Sequence, residues 1–198
     1  MKSFAVLILS AGYSRRMGQF KPLLDIDGET IIDHLISTFL KSRIEVYIVT
    51  GYRGHDLMIS VKNSEVMFVE NPDYAHGMFT SVQAGVRSLK PGHKAFFVMP
   101  VDIPLVKSSS IRSLVKVHRE HPGKIIYPIF HTKRGHPPLI PIALAPVIAE
   151  WERDGNLRDV LSAYEKLAVE VDVNDENILV DINTTADYHA LLKRFHNQ

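Results

Sequence analysis

The 198-residue sequence contains no cysteine, and this absence excludes disulfide bridges, zinc knuckles, iron–sulfur clusters and catalytic thiols. An excess of one charge is also missing, because 23 Lys and Arg residues balance 22 Asp and Glu residues. A net charge of +1 does not indicate nucleic-acid binding, which usually requires a basic protein surface. No apolar run reaches the roughly 18 residues of a transmembrane helix. We therefore expect a soluble, cytoplasmic protein that binds neither nucleic acid nor a membrane.

Two familiar phosphate-binding motifs are absent as well. The sequence has neither the G-x-x-x-x-G-K-[ST] pattern of a P-loop nor the G-x-G-x-x-G pattern of a dinucleotide-binding turn. Its apolar start, residues 4–9, is shorter than the core of a signal peptide and is followed at once by Arg15 and Arg16. A buried first strand is the better interpretation of this segment.

Short apolar runs alternate with longer amphipathic segments along the whole chain. The predicted strands are residues 4–9, 45–50, 66–69, 95–99, 124–129, 168–171 and 178–182, and the predicted helices are residues 30–41, 78–89, 109–119, 142–151 and 184–195. This alternation predicts an α/β fold with a doubly wound, mainly parallel sheet in a single domain, residues 1–198. The Pro- and Gly-rich stretch 127–141 is expected to add an antiparallel excursion. Ligands of such sheets bind at the carboxyl ends of the strands.

The loop after the first strand, residues 10–21, carries Arg15, Arg16 and Lys21 but no acidic residue. Small residues let backbone N–H groups approach an anion, and three cations suit a triphosphate. A solvated basic surface loop is the alternative interpretation. The strand before the loop is apolar throughout, so the loop is expected at the carboxyl edge of the sheet, which favours phosphate binding.

A carboxylate, Asp102, follows the most apolar later strand, and Pro104 stiffens its turn. Carboxylate oxygens are ligands of Mg²⁺, which takes one or two carboxylates together with substrate phosphates. Asp102 lies too far before the helix at residue 109 to cap it directly. We therefore predict a metal-binding role for Asp102.

Residues 9–21 resemble the L-[AG]-[AG]-G-x-S-x-R-M-G-x-x-K signature of nucleotidyltransferases with a MobA-like fold, with Ser10 in place of the usual alanine. Residues 102–106 resemble the D-x-P-L-[VI] element of that family. The branch of closest resemblance is the molybdenum cofactor cytidylyltransferases. The resemblance implies a Rossmann-like nucleotidyltransferase fold, catalytic roles for Arg15, Lys21 and Asp102, and Mg²⁺ bound by Asp102. The residues implied in nucleotide binding by the first loop are Ser10, Ala11, Gly12, Arg15, Arg16 and Lys21.

Two further segments match elements of the family. Residues 71–81 resemble N-P-x-[WY]-x-x-G-M-x-x-S, which implies nucleotide contacts from Asn71, Gly77 and Ser81. Residues 181–187 resemble D-I-[DN]-T-P-E-D, which makes Asp181 and Asn183 competing candidates for the second metal ligand. Thr184 and Asp187 in the same stretch are better explained as caps of the last helix.

The acceptor side of the site is implied by two more elements. Residues 133–138 resemble R-G-H-P, and residues 154–158 resemble G-D-x-G-x-R with Asn156 at the second glycine. Arg134, His136 and Arg158 are the corresponding candidates for an acceptor phosphate, since Arg can hold phosphate through two hydrogen bonds. Solvated surface cations are the alternative explanation for each of them.

The resemblance as a whole implies a Mg²⁺-dependent nucleotidyltransferase, with CTP as the favoured donor and a molybdopterin-type phosphate as the acceptor. A molybdoenzyme would then receive the product. The same chemistry on a sugar or polyol phosphate, or with GTP, is one alternative. A catalytically weak carrier of the molybdenum cofactor is another.

Overall fold

The computed structural model describes residues 2–152 and 155–196. Its main sheet has eight strands, and seven of them lie in the order β10-β7-β9-β6-β1-β4-β5, with β8 paired to β7. These strands are β1 (Phe4–Ser10), β4 (Glu45–Thr50), β5 (Val66–Glu70), β6 (Ala95–Pro100), β7 (Ile125–Phe130), β8 (Lys133–Arg134), β9 (Leu139–Pro141) and β10 (Ala168–Asp172), while β2 (Asp25–Ile26) and β3 (Glu29–Thr30) form a separate hairpin. The mainly parallel sheet confirms the predicted fold class, and antiparallel β9 confirms the predicted excursion.

Helices cover both faces of this sheet. They are α1 (Ile31–Lys41), α2 (Gly54–Ser60), α3 (Met78–Arg87), α4 (Ser108–Glu120), α5 (Ala145–Ala149), α6 (Leu157–Ser162) and α7 (Thr185–His196). The apolar side chains of α1, α2 and α4 pack in one core cluster, and those of α3, α5 and α6 pack in a second. The fold is therefore a sandwich of three layers, as doubly wound sheets require.

The central strand β1 shows why its sequence is apolar at every position. Val6 and Ile8 belong to the first core cluster, whereas Leu7 and Leu9 belong to the second. Successive side chains of a strand point to opposite faces, so a strand covered on both faces has no position for a polar residue. This burial fixes the carboxyl end of β1, and the loop at residue 10 begins there.

Two sequence predictions differ from the structure, and two helices are missing from the predictions. The predicted strand 178–182 is instead a 3₁₀ helix (Glu176–Leu179) followed by extended chain, because Ile178 and Ile182 bond to loops rather than to a strand. The predicted helix 142–151 begins as a 3₁₀ turn, and only Ala145–Ala149 is α-helical. Helices α2 and α6 were not predicted, since each is too short to show a clear apolar period.

A third, smaller core cluster joins the first loop to the last helix. It packs Met17 and Leu24 from the segment after β1 against Ile182 and against Leu191 of α7. This cluster connects residues more than 150 positions apart in the sequence, and it places the segment 181–183 beside the first loop. Within the described residues, no helix has the length and apolar character needed to cross a membrane.

His118 is a histidine of the core rather than of a site. It lies on α4 with 3% of its surface exposed, and its ring meets the edge of Phe4 at 5.6 Å. Burial lowers the pKa of His118 below its usual value, because the imidazolium ion would lose its hydration. Below about pH 6.5 the unfolded chain therefore binds a proton that the folded protein does not, and folding is disfavoured.

We expect the free energy of unfolding to fall as the pH is lowered from about 7.5 to about 5.5, by at most about 1.4 kcal/mol per pH unit for each such proton. The His118→Gln variant should show a shallower slope than the wild type in urea unfolding at each pH. The matched control is His121→Gln, which changes an exposed histidine at the end of the same helix and should leave the slope unchanged. Equal slopes for the wild type and His118→Gln would contradict this account.

Candidate active site

A cavity of about 380 Å³ opens at the carboxyl ends of β1 and β6. Its walls come from the loop after β1, the turn and helix start after β5, and the loop after β6. The residues that line it are 9–17, 21, 22, 74, 75, 77, 78, 81, 100–102 and 183. The strand edge predicted to bind a ligand therefore does carry a cavity of ligand size.

The loop after β1 owes its shape to two left-handed residues, Ser14 with φ 52° and Gly18 with φ 66°. They flank a short 3₁₀ helix, Arg15–Met17, whose Met17 is buried in the third core cluster. The loop closes where Ser14 Oγ accepts a hydrogen bond from the backbone N–H of Lys21 at 3.2 Å. Arg15 and Arg16 are thus exposed at the cavity on a backbone that is fixed at both ends.

Lys21 is the buried cation of the site, with 8% of its surface exposed. Its ammonium group donates a hydrogen bond to the backbone carbonyl of Ile182, and its Nζ lies 3.6 Å from Oδ2 of Asp102. A buried ammonium ion needs such partners, because it has lost most of its hydration. The predicted phosphate ligand and the predicted metal ligand therefore meet at one point.

The segment 181–183 reaches Asp102 through its backbone. The N–H of Ile182 donates to the carbonyl oxygen of Asp102 at 2.8 Å, which sets the neighbouring side chains beside the loop after β6. Asn183 lines the cavity, accepts from Arg16 Nη2 at 3.4 Å and donates to the carboxylate of Asp181. Asp181 is exposed and does not line the cavity.

The oxygen donors at this point fit a hard divalent cation. Among the residues that the structure describes, no group of three or more His, Cys, Asp or Glu side chains could hold a metal. Mg²⁺ takes one or two protein carboxylates when phosphates complete its shell. Asp102 and Asn183 line the cavity and Asp181 bonds to Asn183, so side-chain oxygens of the required kind are present. The donor chemistry is therefore that of a metal bound together with a phosphorylated ligand.

Of the nucleotide-side residues predicted after β5, Gly77 and Ser81 line the cavity, and Asn71 lies behind them. Asn71 is buried, and its amide donates to the hydroxyl oxygens of Thr80 and Ser81, each at 2.9 Å. Ser81 lines the cavity at the start of α3, and its hydroxyl can still donate a hydrogen bond. Gly77 precedes this helix with φ 111° and ψ 169°, a conformation that favours glycine.

Three tyrosines around the first loop were not predicted. The ring of Tyr13 lies 5.1 Å from that of Tyr52 and 5.4 Å from that of Tyr74, measured between centroids. The guanidinium group of Arg15 lies over the Tyr13 ring at 4.4 Å, within the range of a cation–π contact. Each tyrosine lies in a different loop at the carboxyl edge of the sheet. The sequence signals for the cluster are this shared position and the [WY] position of the element at residues 71–81, which Tyr74 occupies.

The acceptor-side candidates are not gathered around the cavity. Arg134 does not line it, and its guanidinium donates to Glu165 and Glu170 while lying 4.4 Å over the ring of Tyr127. These carboxylates raise the pKa of Arg134, and the hydrogen bonds that Arg134 donates to Glu165 have the largest effect. A phosphate would have to compete with both of them for this group.

His136 lies closer to the acidic residues of the site. Burial lowers its pKa, and the negative charges of Asp102 and Asp181 act in the opposite direction. Its buried Nδ1 has no hydrogen-bond partner among the described residues.

Arg158 is exposed on α6, and Asn156 forms a capping box with Asp159 at the start of that helix. Asp154, the first residue of the predicted element 154–158, lies outside the described residues.

A model of the MobA-like NTP transferase domain matches residues 6–168. The chain belongs to this family. A molybdenum cofactor cytidylyltransferase of Escherichia coli (strain K12) is 30% identical over 196 residues, covering 98% of each chain. A probable molybdenum cofactor guanylyltransferase of Synechococcus elongatus is 28% identical over 195 residues, covering 96% of this chain and 98% of that relative. The MobA-like chain is therefore a nucleotidyltransferase, and both donor types occur among its relatives.

Solved structures agree on the fold of the MobA-like chain. A nucleotidyl transferase from Methanothermobacter thermautotrophicus superposes with a TM-score of 0.83 at 21% identity, covering 98% of each chain. A Mycobacterium tuberculosis protein (Rv0371c) in complex with manganese superposes with a TM-score of 0.80 at 17% identity, covering 96% of this chain and 98% of that one. The comparison establishes a Rossmann-like nucleotidyltransferase fold, and the second protein binds a divalent cation.

The backbone before His136 packs so closely on Ile178 that position 135 has no room for a side chain. A Cβ atom at Gly135 would lie 2.5 Å from the carbonyl oxygen of Ile178, which also accepts from the His136 N–H at 2.9 Å. We expect Gly135→Ala to lower the free energy of unfolding by about 1–3 kcal/mol, the usual effect of overpacking. The measurement is urea unfolding without nucleotide. Gly12→Ala is the control, since its Cβ would meet nothing within 4 Å, and an equal loss in both variants would contradict the steric explanation.

Proposed function

We propose that this MobA-like chain transfers CMP from CTP to the terminal phosphate of a molybdopterin-type cofactor. An oxygen of the acceptor phosphate attacks the α-phosphorus of CTP. A new P–O bond forms there, the bond from the α-phosphorus to the bridging oxygen of the β-phosphate breaks, and pyrophosphate leaves with that electron pair. A phosphate monoester is already anionic near neutral pH, so no side chain has to act as nucleophile. The product would then pass to a molybdoenzyme.

The observation that carries the proposal is the buried Lys21 ammonium, held by the Ile182 carbonyl and close to Asp102 at the cavity. A cation that is fixed before the substrate arrives stabilises charge on the transferring phosphate without reorganising. We assign Lys21 to that charge and Arg15 with Arg16 to the remaining phosphates. Catalysis then depends on positioning and charge neutralisation, as in other phosphoryl transfers.

Asp102, with Asp181 or Asn183, is proposed to hold Mg²⁺. When bound, the ion neutralises charge on the phosphate oxygens and supports departure of pyrophosphate. The Asp102 carboxylate lies near the ammonium group of Lys21. When a metal–nucleotide complex binds, the Asp102 carboxylate would contact the metal ion as a second cation, and the Lys21 ammonium group would contact a phosphate.

Recognition of the nucleoside is assigned to two walls of the cavity. The backbone of Ser10, Ala11 and Gly12 forms one wall, and Ser81 lies on the other with Gly77 near it. We propose that buried Asn71 acts indirectly, by orienting the hydroxyl of Ser81. CTP is favoured over GTP because Ser10-Ala11-Gly12 fits the A-A-G form of the cytidylyltransferases better than the L-A-G-G form, and one cytidylyltransferase is 30% identical to this chain.

For the acceptor, we propose that His136 and Arg158 contact the phosphate from the side of β9 and α6. The negative charges of Asp102 and Asp181 act on the imidazole of His136, which supports its role in the proposal. Arg134 keeps its predicted role only if the acceptor displaces Glu165 or Glu170, which hold it without ligand. Replacement of Arg134 therefore has two separable effects, one on stability and one on the KM for the acceptor.

We expect thermal unfolding with each of the four nucleoside triphosphates to show a Mg²⁺-dependent rise in Tm with CTP. A ligand at 100 times its Kd adds about 2.7 kcal/mol, which for a chain of this size raises Tm by about 5–10 °C. A rise with GTP alone would change the donor and keep the chemistry. No rise with any nucleotide would contradict a nucleotide-first enzyme and favour a cofactor carrier.

The second test measures pyrophosphate release from CTP with the molybdopterin acceptor. Lys21→Ala should lower kcat by about 10²-fold or more, the usual effect of removing one preorganised donor. Asp102→Asn should abolish Mg²⁺-dependent transfer, since the amide keeps the shape and removes the charge. Lys116→Ala, an exposed lysine on α4, is the control and should retain full activity. Wild-type rates in Lys21→Ala or Asp102→Asn, with folding verified, would refute the corresponding assignment.

A further inference from the structure

Asp175 is a carboxylate with 1% of its surface exposed, in the segment between β10 and the 3₁₀ helix Glu176–Leu179. It forms no ion pair with a Lys, Arg or His side chain in the described part of the chain. Its charge is instead met by four hydrogen bonds. Oδ2 accepts from the N–H of Lys107 at 2.9 Å and from the hydroxyl of Ser110 at 2.7 Å. Oδ1 accepts from the N–H and the side-chain amide of Asn177 at 3.2 and 3.0 Å.

These bonds place Asp175 at the start of α4, which has no cap of its own. The N-cap residue of this 13-residue helix is Lys107, with no side-chain capping bond, and the first turn contains no acidic residue. A carboxylate near a helix N-terminus is stabilised by the unpaired N–H groups and by the helix dipole. Asp175 therefore supplies, from 68 positions away in the sequence, the cap that α4 lacks.

The two segments that Asp175 joins are the two that carry the candidate metal ligands. One runs from Asp102 to Lys107 after β6, and the other runs from Asp175 through Ile182. They are joined at both ends, by the Asp175 carboxylate and by the 2.8 Å bond from the Ile182 N–H to the Asp102 carbonyl. Rotation or slippage of one segment along the other would break one of these links.

We infer that Asp175 is a positioning residue, which sets the spacing between Asp102 and the pair Asp181–Asn183 for a metal–nucleotide complex. This inference rests on the proposed function, because it assigns a second layer of contacts to the same metal site. Side chains that hold metal ligands in place commonly contribute 10- to 100-fold to metal affinity. The effect belongs to the metal step, since Asp175 does not line the cavity and cannot touch the nucleotide.

The test compares the affinity for CTP with saturating Mg²⁺ and with EDTA, by titration calorimetry. The ratio of the two affinities measures the part of binding that the metal contributes. In the Asp175→Asn variant an NH₂ group replaces one of the two carboxylate oxygens. Because this group donates and cannot accept, at least one of the four hydrogen bonds to residue 175 is lost. We expect this ratio to fall about tenfold, with CTP affinity in EDTA unchanged. Ser110→Ala removes a single bond and should lower the ratio by a smaller factor, so it serves if Asp175→Asn does not fold.

The control is Glu45→Gln, which disturbs bonds to Lys90 and His93 at the opposite, amino end of the sheet. It should lower Tm and leave the affinity ratio at the wild-type value. If Asp175→Asn and Ser110→Ala lower Tm but keep the wild-type ratio, Asp175 is only a helix cap and the inference is wrong. If the wild type itself shows no Mg²⁺-dependent CTP affinity, the proposed function fails and the inference fails with it.

Discussion

The backbone of Ile182 connects the parts of the candidate active site. Its N–H donates to the carbonyl oxygen of Asp102, and its C=O accepts from the ammonium group of Lys21. One backbone unit thus fixes the first loop, the loop after β6 and the segment before α7 relative to one another. The Ile182 side chain is fully buried in the third core cluster, so this peptide cannot shift without opening that cluster. The apolar packing of the third core cluster therefore determines how the charged groups are positioned.

Much of the fold could be predicted from the sequence, because the continuous apolar run of β1 and the amphipathic faces of α1 and α4 dominate their local sequence. The same applies to the first loop, whose cations and small residues follow directly after a strand that has to be central. The resemblance to the MobA-like family added roles that composition cannot supply, such as those of Asn71 and Ser81. The structure brings most of these residues to one cavity.

The parts that were missed depend on contacts between distant segments. Residues 178–182 look like a strand because they are apolar, yet their backbone groups bond to His136 and Asp102, which local sequence cannot reveal. Arg134 fits a phosphate-binding motif, but its carboxylate partners lie 31 and 36 positions away. The capping of α7 by Thr184 and Asp187 could be predicted, because these two residues are three positions apart in the sequence. The hydrogen bonds that the Asp187 carboxylate accepts from the backbone of Asn183 and Thr184 lower its pKa.

The arrangement also explains why the metal site proposed on Asp102, with Asp181 or Asn183, needs so few protein ligands. A protein cage with many acidic ligands would repel a triphosphate before the metal could bridge the two. With Asp102 beside Lys21, and with Arg15 and Arg16 at the rim, the charged side chains that line the cavity are three cations and one carboxylate, so the lining is positive. Such a site has little affinity for a bare divalent cation and more for a cation that arrives with phosphate, because the phosphates supply the missing ligands. Metal and nucleotide binding are then coupled by charge, and buried Asp175 keeps the few protein ligands in register for that coupling.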